Sequence, residues 1–327
     1  MTYRTLDEIE ALTGRALQAN GASKEVAASV AHAVRVAEGY GNKICGLYYV
    51  ESYCLQLRTG RVDGTVAPVV RQPKPGTVIV DACAGFAQPA FTAGFDTALR
   101  AARDNGTATL SVCHAHTCTS LGYFTEQIAK AGMIGIGFTN ASPIVAPPGG
   151  KTRLIGTNPI AFSVPDGAGG VAMQFDQSTT TVALGKITMA KATGQQIPLG
   201  WALDGEGNPT TDPEAALLGS LTSIGDHKGW GFGIMAEILA AGMADSALSR
   251  DVKPLKTPDG PPHNLGQFYI LIDPENAAAF KHRMDTLSTY VAAEEGARLP
   301  GQNKTVLAKV EVVDGVWDRL VDLAQTA

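Results

Sequence analysis

The chain has 327 residues, 45% apolar and 17% charged, with 26 Lys and Arg against 31 Asp and Glu for a net charge of −5. That balance argues against nucleic acid as a partner, which calls for a clustered basic face, and the length allows one large core or two moderate ones without disulfide staples. Met1 to Glu10 lacks the apolar core of an export signal, and the longest apolar stretch, Phe232 to Ala244, carries Glu237 and is too short to span a bilayer, so no membrane association is expected.

Thr5-Leu6-Asp7-Glu8 is a capping box, and Leu6, Ile9, Leu12, Ala16 and Leu17 then recur at helical spacing. Asn20-Gly21 ends that helix, Ser23 caps a second one running towards Glu38, and a glycine-bearing turn, Gly39 to Gly46, leads to helical residues around Tyr49 to Leu57. Beyond Gly60 the texture changes. Pro68, Pro73 and Pro75 punctuate the chain, and β-type runs follow at Thr77–Asp81, Thr107–Val112, Ile134–Phe138, Ala161–Val164, Val171–Phe175 and Phe268–Ile272. Helices are expected at Leu121–Ala131, Gly231–Ala244 and Pro274–Ser288. Residues 1–72 therefore read as a helical domain, joined by the 306–327 segment, and 73–305 as an α/β domain. Because regular helices do not separate the strands, a mixed or antiparallel sheet is expected in place of a doubly wound parallel one.

Five cysteines, Cys45, Cys54, Cys83, Cys113 and Cys118, form no C-x-x-C pair and suit free thiols in a reducing, cytoplasmic compartment. Gly231-Phe232-Gly233-Ile234-Met235-Ala236 has the G-x-G-x-x-A form of a dinucleotide fingerprint, but Asp226-His227-Lys228-Gly229-Trp230 precedes it where a strand is required. His114-Ala115-His116 shares one face of an extended segment, yet no metal-ligand spacing completes a site around it, and no metal is expected; an acid/base or stacking role for one imidazole is the better reading. His227-Lys228 precedes a helix start that favours phosphate, or is simply a solvated loop. Gly156-Thr157-Asn158-Pro159 makes a tight turn that also suits a carboxylate contact. Arg298-Leu299-Pro300-Gly301-Gln302-Asn303-Lys304 puts two cations around a turn, fit for ribose or phosphate or for plain solvent exposure.

In order and spacing, Leu121-Gly122-Tyr123-Phe124, Thr139-Asn140, Gly156-Thr157-Asn158-Pro159, Phe175-Asp176, Gly200-Trp201-Ala202, Pro209-Thr210-Thr211-Asp212-Pro213, His227-Lys228-Gly229 and Arg298-Leu299-Pro300-Gly301 resemble the malate/L-lactate dehydrogenase-like family, which includes Δ1-piperideine-2-carboxylate reductases. The resemblance covers nearly the whole chain. It implies a non-Rossmann, largely antiparallel α/β fold for NAD(P) with an N-terminal helical domain, and a homodimer with its site near the subunit interface. It also implies hydride transfer from NADH or NADPH to a small 2-oxo acid or a cyclic imine carboxylate. By position, His116, Thr117, Cys118, Thr119 and Ser120, then Asp176, Gln177 and Ser178, then His227 and Lys228, and finally Arg298, Pro300, Gly301, Gln302 and Lys304 would line the cofactor, while Thr157 would touch substrate.

The chain departs from the family near residue 45. Where family members have Ser-His-Gly, with the His as proton donor, stands Ile44-Cys45-Gly46, and Tyr49 occupies the place of an Arg that grips the substrate carboxylate. Reduction of a carbonyl needs a hydride on carbon and a proton on oxygen, so another acid must act or the chemistry must change. His116 is the best replacement by reference pKa, ahead of Cys45 and the phenols of Tyr49 and Tyr53. An iminium already carries its proton, which keeps open a Δ1-pyrroline-2-carboxylate or Δ1-piperideine-2-carboxylate reductase. A catalytically inactive cofactor-binding protein is the alternative from another class.

Overall fold

The computed structural model describes residues 1–302 and 304–325; Asn303 of the Arg298–Lys304 loop and the last two positions of the 306–327 segment lie outside the described residues. Strand β1 (Thr2–Thr5) runs into helix α1 (Leu6–Ala19), where the Thr5 hydroxyl accepts from the Glu8 N–H while the Glu8 carboxylate accepts from the Thr5 N–H. Ser23 caps α2 (Lys24–Gly39), and α3 (Val50–Thr59) stops at Gly60, whose φ of 75° is one that favours glycine. The predicted apolar stripe of α1 is buried with Val30 and Val34 of α2 and Tyr53 of α3.

The centre of the molecule is a seven-stranded sheet. Its first half contains β2 (Val69–Lys74), β3 (Thr77–Asp81), α4 (Ala87–Asn105), β4 (Thr107–Ala115), α5 (Gly122–Lys130) and β5 (Ile134–Thr139). It continues with β6 (Ile160–Pro165) and β7 (Val171–Gln177), then α6 (Leu184–Ala192). A small three-stranded sheet follows, made of β8 (Ala202–Leu203), β9 (Pro209–Thr210) and β10 (Ser220–Leu221), with α7 (Pro213–Leu218) between the last two. Helix α8 (His227–Glu237) runs on into a π-helical turn, Ile238–Gly242, before β11 (Leu265–Ile272) and α9 (Ala277–Ala292). Finally β12 (Lys309–Val312) pairs antiparallel with β1, and α10 (Asp314–Gln325) sends Leu320 and Leu323 into the helical core.

The large sheet has the order β2-β3-β4-β11-β5-β6-β7, with only β3 and β4 parallel, so the mixed, largely antiparallel reading holds. One point needs correction. The strands are not all free of intervening helices, because α4 lies between β3 and β4 as the crossover that a parallel pair requires. Pro89 and Gly94 disguise it in sequence. A proline is tolerated in a first helical turn, and a Cβ at Gly94 would collide with Val80 and Leu110 of the sheet beneath, so the glycine permits close helix–sheet packing.

Helices α4 and α5 cover one face of the sheet, where Phe91 meets Tyr269 at 5.1 Å and Phe124 at 4.9 Å between ring centres. On the other face Ala236 of α8 packs on Phe138 and Phe268. The Gly231–Ala236 stretch lies inside α8 and forms no phosphate loop; a Cβ at Gly233 would come 2.6 Å from Ile155, so that glycine serves packing, while Gly231 is exposed with open space beside it.

Candidate active site

A cleft of about 460 Å³ opens where the end of α2, the start of α5, β7 and the 298–304 loop meet. Asp176 organises its floor: one carboxylate oxygen accepts from the Ser120 hydroxyl at 2.9 Å and from the Gly122 N–H at 2.7 Å. Gly122 allows this approach, since a Cβ there would sit 3.0 Å from that of Asp176. Gln174 ties in the outer loop. Its N–H donates to the Pro300 carbonyl at 3.0 Å, its side-chain carbonyl accepts from the Lys304 ammonium at 2.8 Å, and Gly301, with φ of 82°, passes where a Cβ would be 2.8 Å from the Gln174 carbonyl. The Lys304 ammonium also lies 4.1 Å from the centre of the Tyr40 ring, whose hydroxyl donates to Glu126 at 2.9 Å.

Among the described residues Arg298 enters no ion pair, so the cleft offers a spare guanidinium, an ammonium and a backbone pressed close by glycine. These features suit the phosphates and riboses of a dinucleotide.

Beside this cleft the Cys45 thiol donates to the Thr119 carbonyl at 3.4 Å. Burial, with the nearby Asp176 charge, pushes Cys45 up to about 12. Tyr49 stacks on Tyr53 with ring centres 6.2 Å apart and is likewise pushed up to about 12 by burial. The Lys256 ammonium covers the neighbouring Tyr48 ring at 3.4 Å.

Behind Tyr53 lies His116, only 2% exposed and packed against Tyr53, Phe86 and, at 4.3 Å, the stacked ring of His263. Its tautomer follows from its partner. The Gln56 amide donates to the Leu255 and Thr257 carbonyls, each at 2.7 Å, so Gln56 Oε1 must accept the Nε2–H of His116 at 2.7 Å. Burial, then His263 and the buried Arg61, hold His116 well below the ordinary histidine range. As placed, it has neither the exposure nor the proton affinity of a general acid at neutral pH.

Of the residues expected at the cofactor, Ser120, Asp176, Gln177, Arg298, Pro300, Gly301 and Lys304 share the cleft, while Thr117, Cys118 and Thr119 precede Ser120 in the chain without lining it. His116 does not line it. His227 and Lys228 stand exposed at the start of α8, next to a second cleft of about 470 Å³ that includes Asp226. The Ser178 hydroxyl bonds to that of Thr180, the Thr157 carbonyl accepts from Thr179, and Gln302 bonds to Leu299 and Ser288. Tyr40, Asn42, Gln174 and Glu126 line the first cleft without having been anticipated; the glycine turn at 39–46 was the available signal for the first two. Nor do the two imidazoles of His114-Ala115-His116 converge. His114, with φ of 51°, breaks the alternation and turns to Asp81 while His116 turns to Gln56.

Residues 5–318 match the family model described as malate/L-lactate dehydrogenase. The chain is 35% identical over 323 residues to a (2R)-3-sulfolactate dehydrogenase (NADP(+)) of Chromohalobacter salexigens, covering 97% of this chain and 96% of the relative. It is 34% identical over 305 residues to a Δ1-pyrroline-2-carboxylate reductase of Ancylobacter novellus, covering 92% and 89%. The crystal structure of a Δ1-piperideine-2-carboxylate reductase from Pseudomonas syringae superposes with a TM-score of 0.89 at 30% identity, covering 99% of this chain and all of that one. The chain belongs to the malate/L-lactate dehydrogenase family and is an NAD(P)H-dependent oxidoreductase.

Proposed function

We propose that this chain reduces a small cyclic imine bearing a carboxylate, of the Δ1-pyrroline-2-carboxylate or Δ1-piperideine-2-carboxylate type, with NAD(P)H held in the Asp176 cleft. The observation that carries the reading is the set of groups near position 45, a thiol held on the Thr119 carbonyl and a phenol stacked on Tyr53, with the His116 imidazole buried behind them and bonded to Gln56. Bound NAD(P)H supplies a hydride. A carbonyl substrate would also need a proton on its oxygen, and Cys45 and Tyr49, both pushed up to about 12, hold theirs too tightly to release readily at neutral pH. His116 is neutral, and its one ring proton is engaged by Gln56. An iminium nitrogen brings its own proton, so the surroundings need only bind and orient it.

In this reading Cys45 and Tyr49 shape the substrate pocket, Thr157 contacts the carboxylate, and His116 supports the Tyr53 wall from behind. Ser120, Asp176, Gln177, Arg298, Pro300, Gly301 and Lys304 hold the cofactor, Cys118 and Thr119 bound its inner end, and His227 and Lys228 offer phosphate contacts from the α8 start. The helical part and the sheet part are two units with the cleft between them, since Val36, Ala37 and Tyr40 line one wall and Asp176 and Arg298 the other, but the boundary expected at 72/73 would cut β2 (Val69–Lys74), which belongs to the large sheet, so the helical part is taken as 1–68 with the segment from 306, and the sheet part as 69–305. The reading also takes the protein as a cytoplasmic homodimer, supported by five free thiols and by Phe232, Met235 and Ile238, which α8 and its continuation expose. Among the described residues no helix is long and apolar enough to cross a membrane.

The relative from Chromohalobacter salexigens favours a second reading, a 2-hydroxy acid dehydrogenase. Steady-state oxidation of NADH and NADPH with both cyclic imines, pyruvate and oxaloacetate, and NADP⁺ reduction with (2R)-3-sulfolactate, separate the two. The imines are expected to give the highest kcat/KM; a clear preference for the acids overturns the imine reading. Cofactor binding without turnover on any of them would identify an inactive member.

A further inference from the structure

Strands β3 and β4 end side by side, with Asp81 paired in register to Cys113. Past that pair the two chains stay joined, the Ala82 N–H donating to the Cys113 carbonyl at 2.9 Å and the Ala84 N–H to that of His114 at 3.0 Å. Three non-glycine residues here take positive φ: Cys83 at 51°, Ala84 at 64° and His114 at 51°. Successive side chains of a strand point to opposite faces, so Cys113 and His114 would ordinarily diverge. The left-handed turn at His114 is the local departure, and here the two side chains converge. The His114 Nδ1 lies 2.9 Å from an Asp81 carboxylate oxygen, and the ligating atoms of Asp81, Cys113 and His114 all lie within 4.8 Å of one another.

We propose that Asp81, Cys113 and His114 form a binding site for one borderline divalent cation of the zinc type, separate from the reductase cleft. The donor set is one imidazole, one thiolate and one carboxylate, the mixture zinc accepts in a tetrahedral site, with a fourth position open to water. Asp81 and His114 are partly exposed while Cys113 is buried, so the cation would enter from solvent and rest on the sulfur. The Asp81 carboxylate is already oriented by the Cys83 N–H at 2.8 Å, a contact of the kind that fixes a metal ligand, and the backbone N–H of His114 donates to the Ser246 hydroxyl at 3.2 Å in the left-handed turn. Arg71 and Asp245 are the other charges acting on Cys113, one of each sign. Binding converts the Cys113 thiol to a thiolate and releases its proton to solvent. None of the three residues lines the Asp176 cleft, and the site stands whether or not the imine reading does. Sequence spacing hid it, because Asp81 is 33 positions from His114.

The test titrates the chelator-treated full-length protein with Co²⁺ and then Zn²⁺. One equivalent of Co²⁺ is expected to give tetrahedral visible bands with a near-ultraviolet thiolate charge-transfer band, and Zn²⁺ to displace it. Cys113→Ser should abolish the charge-transfer band, Cys54→Ser should keep it, and His114→Asn should weaken Zn²⁺ binding roughly tenfold or more. Asparagine tolerates the positive φ, so this variant decides the matter even if Cys113→Ser fails to fold. Absence of a charge-transfer band in the wild type, or Zn²⁺ affinity unchanged in His114→Asn, overturns the proposal.

Discussion

In the proposed reading, Cys45 and Tyr49 let the site keep its frame while its acid–base chemistry changes. The Asp176–Ser120–Gly122 bonds and the Gln174–Lys304 contact assemble the cleft proposed for the cofactor, yet the positions where the resemblance implies a histidine and an arginine hold a thiol and a phenol, both pushed up to about 12. Restoring an imidazole tests this directly. Cys45→His is expected to raise kcat/KM for pyruvate by about tenfold or more, within the usual contribution of a general acid, while leaving the imine rate nearly unchanged. NADPH oxidation with each substrate measures it. The stacked pair of His116 and His263 makes a second prediction. His263 is held near 3 by burial and by Arg61, against an ordinary value near 6.5. Its stabilising effect is therefore fully present above pH 6.5 and is lost as pH falls from there towards 3, because the unfolded chain takes up the proton first, at up to about 1.4 kcal/mol per pH unit. Thermal melts from pH 8 to pH 5 should show a steep fall in Tm below 6.5, and His263→Asn should flatten it.

At the scale of elements, part of the local chemistry was legible where the partners lie close in sequence, although the Asp212 cap of α7 was not read. The Thr5–Glu8 box, the Ser23 cap and the stripe of α1 are all where their spacing predicts them. Thr5→Ala removes a hydroxyl acceptor from the first turn of α1 and should cost about 1 kcal/mol in denaturant unfolding; a change below a few tenths would mean that the β1–β12 pairing alone sets that end. Helix α4 was hidden by a proline in its first turn and a glycine at the sheet, features that mark a break in an exposed helix but are compatible with one packed flat on strands. The cleft residues Tyr40 and Gln174 carry no motif. Each is a single polar side chain whose partner, Lys304, lies far along the chain.

For the whole molecule, the exposed apolar residues of α8 and its π-helical continuation bear on assembly. Phe232, Met235 and Ile238 stand three apart on one face, as the buried face of a helix would, but water meets them in the single chain. Phe232→Asp is expected to convert a dimer to a monomer in light scattering after size-exclusion chromatography; a wild-type chain that runs as a monomer at micromolar concentration rules out the homodimer. The sequence by itself determined the helical caps, the strand runs and the order of family segments, because each depends on residue type and short spacing. Only the tertiary structure decided that His116 is buried against Gln56 and His263, that β11 lies between β4 and β5, and that Asp81 meets Cys113 and His114. Burial, register and convergence depend on neighbours tens to hundreds of residues away, and no local pattern records them.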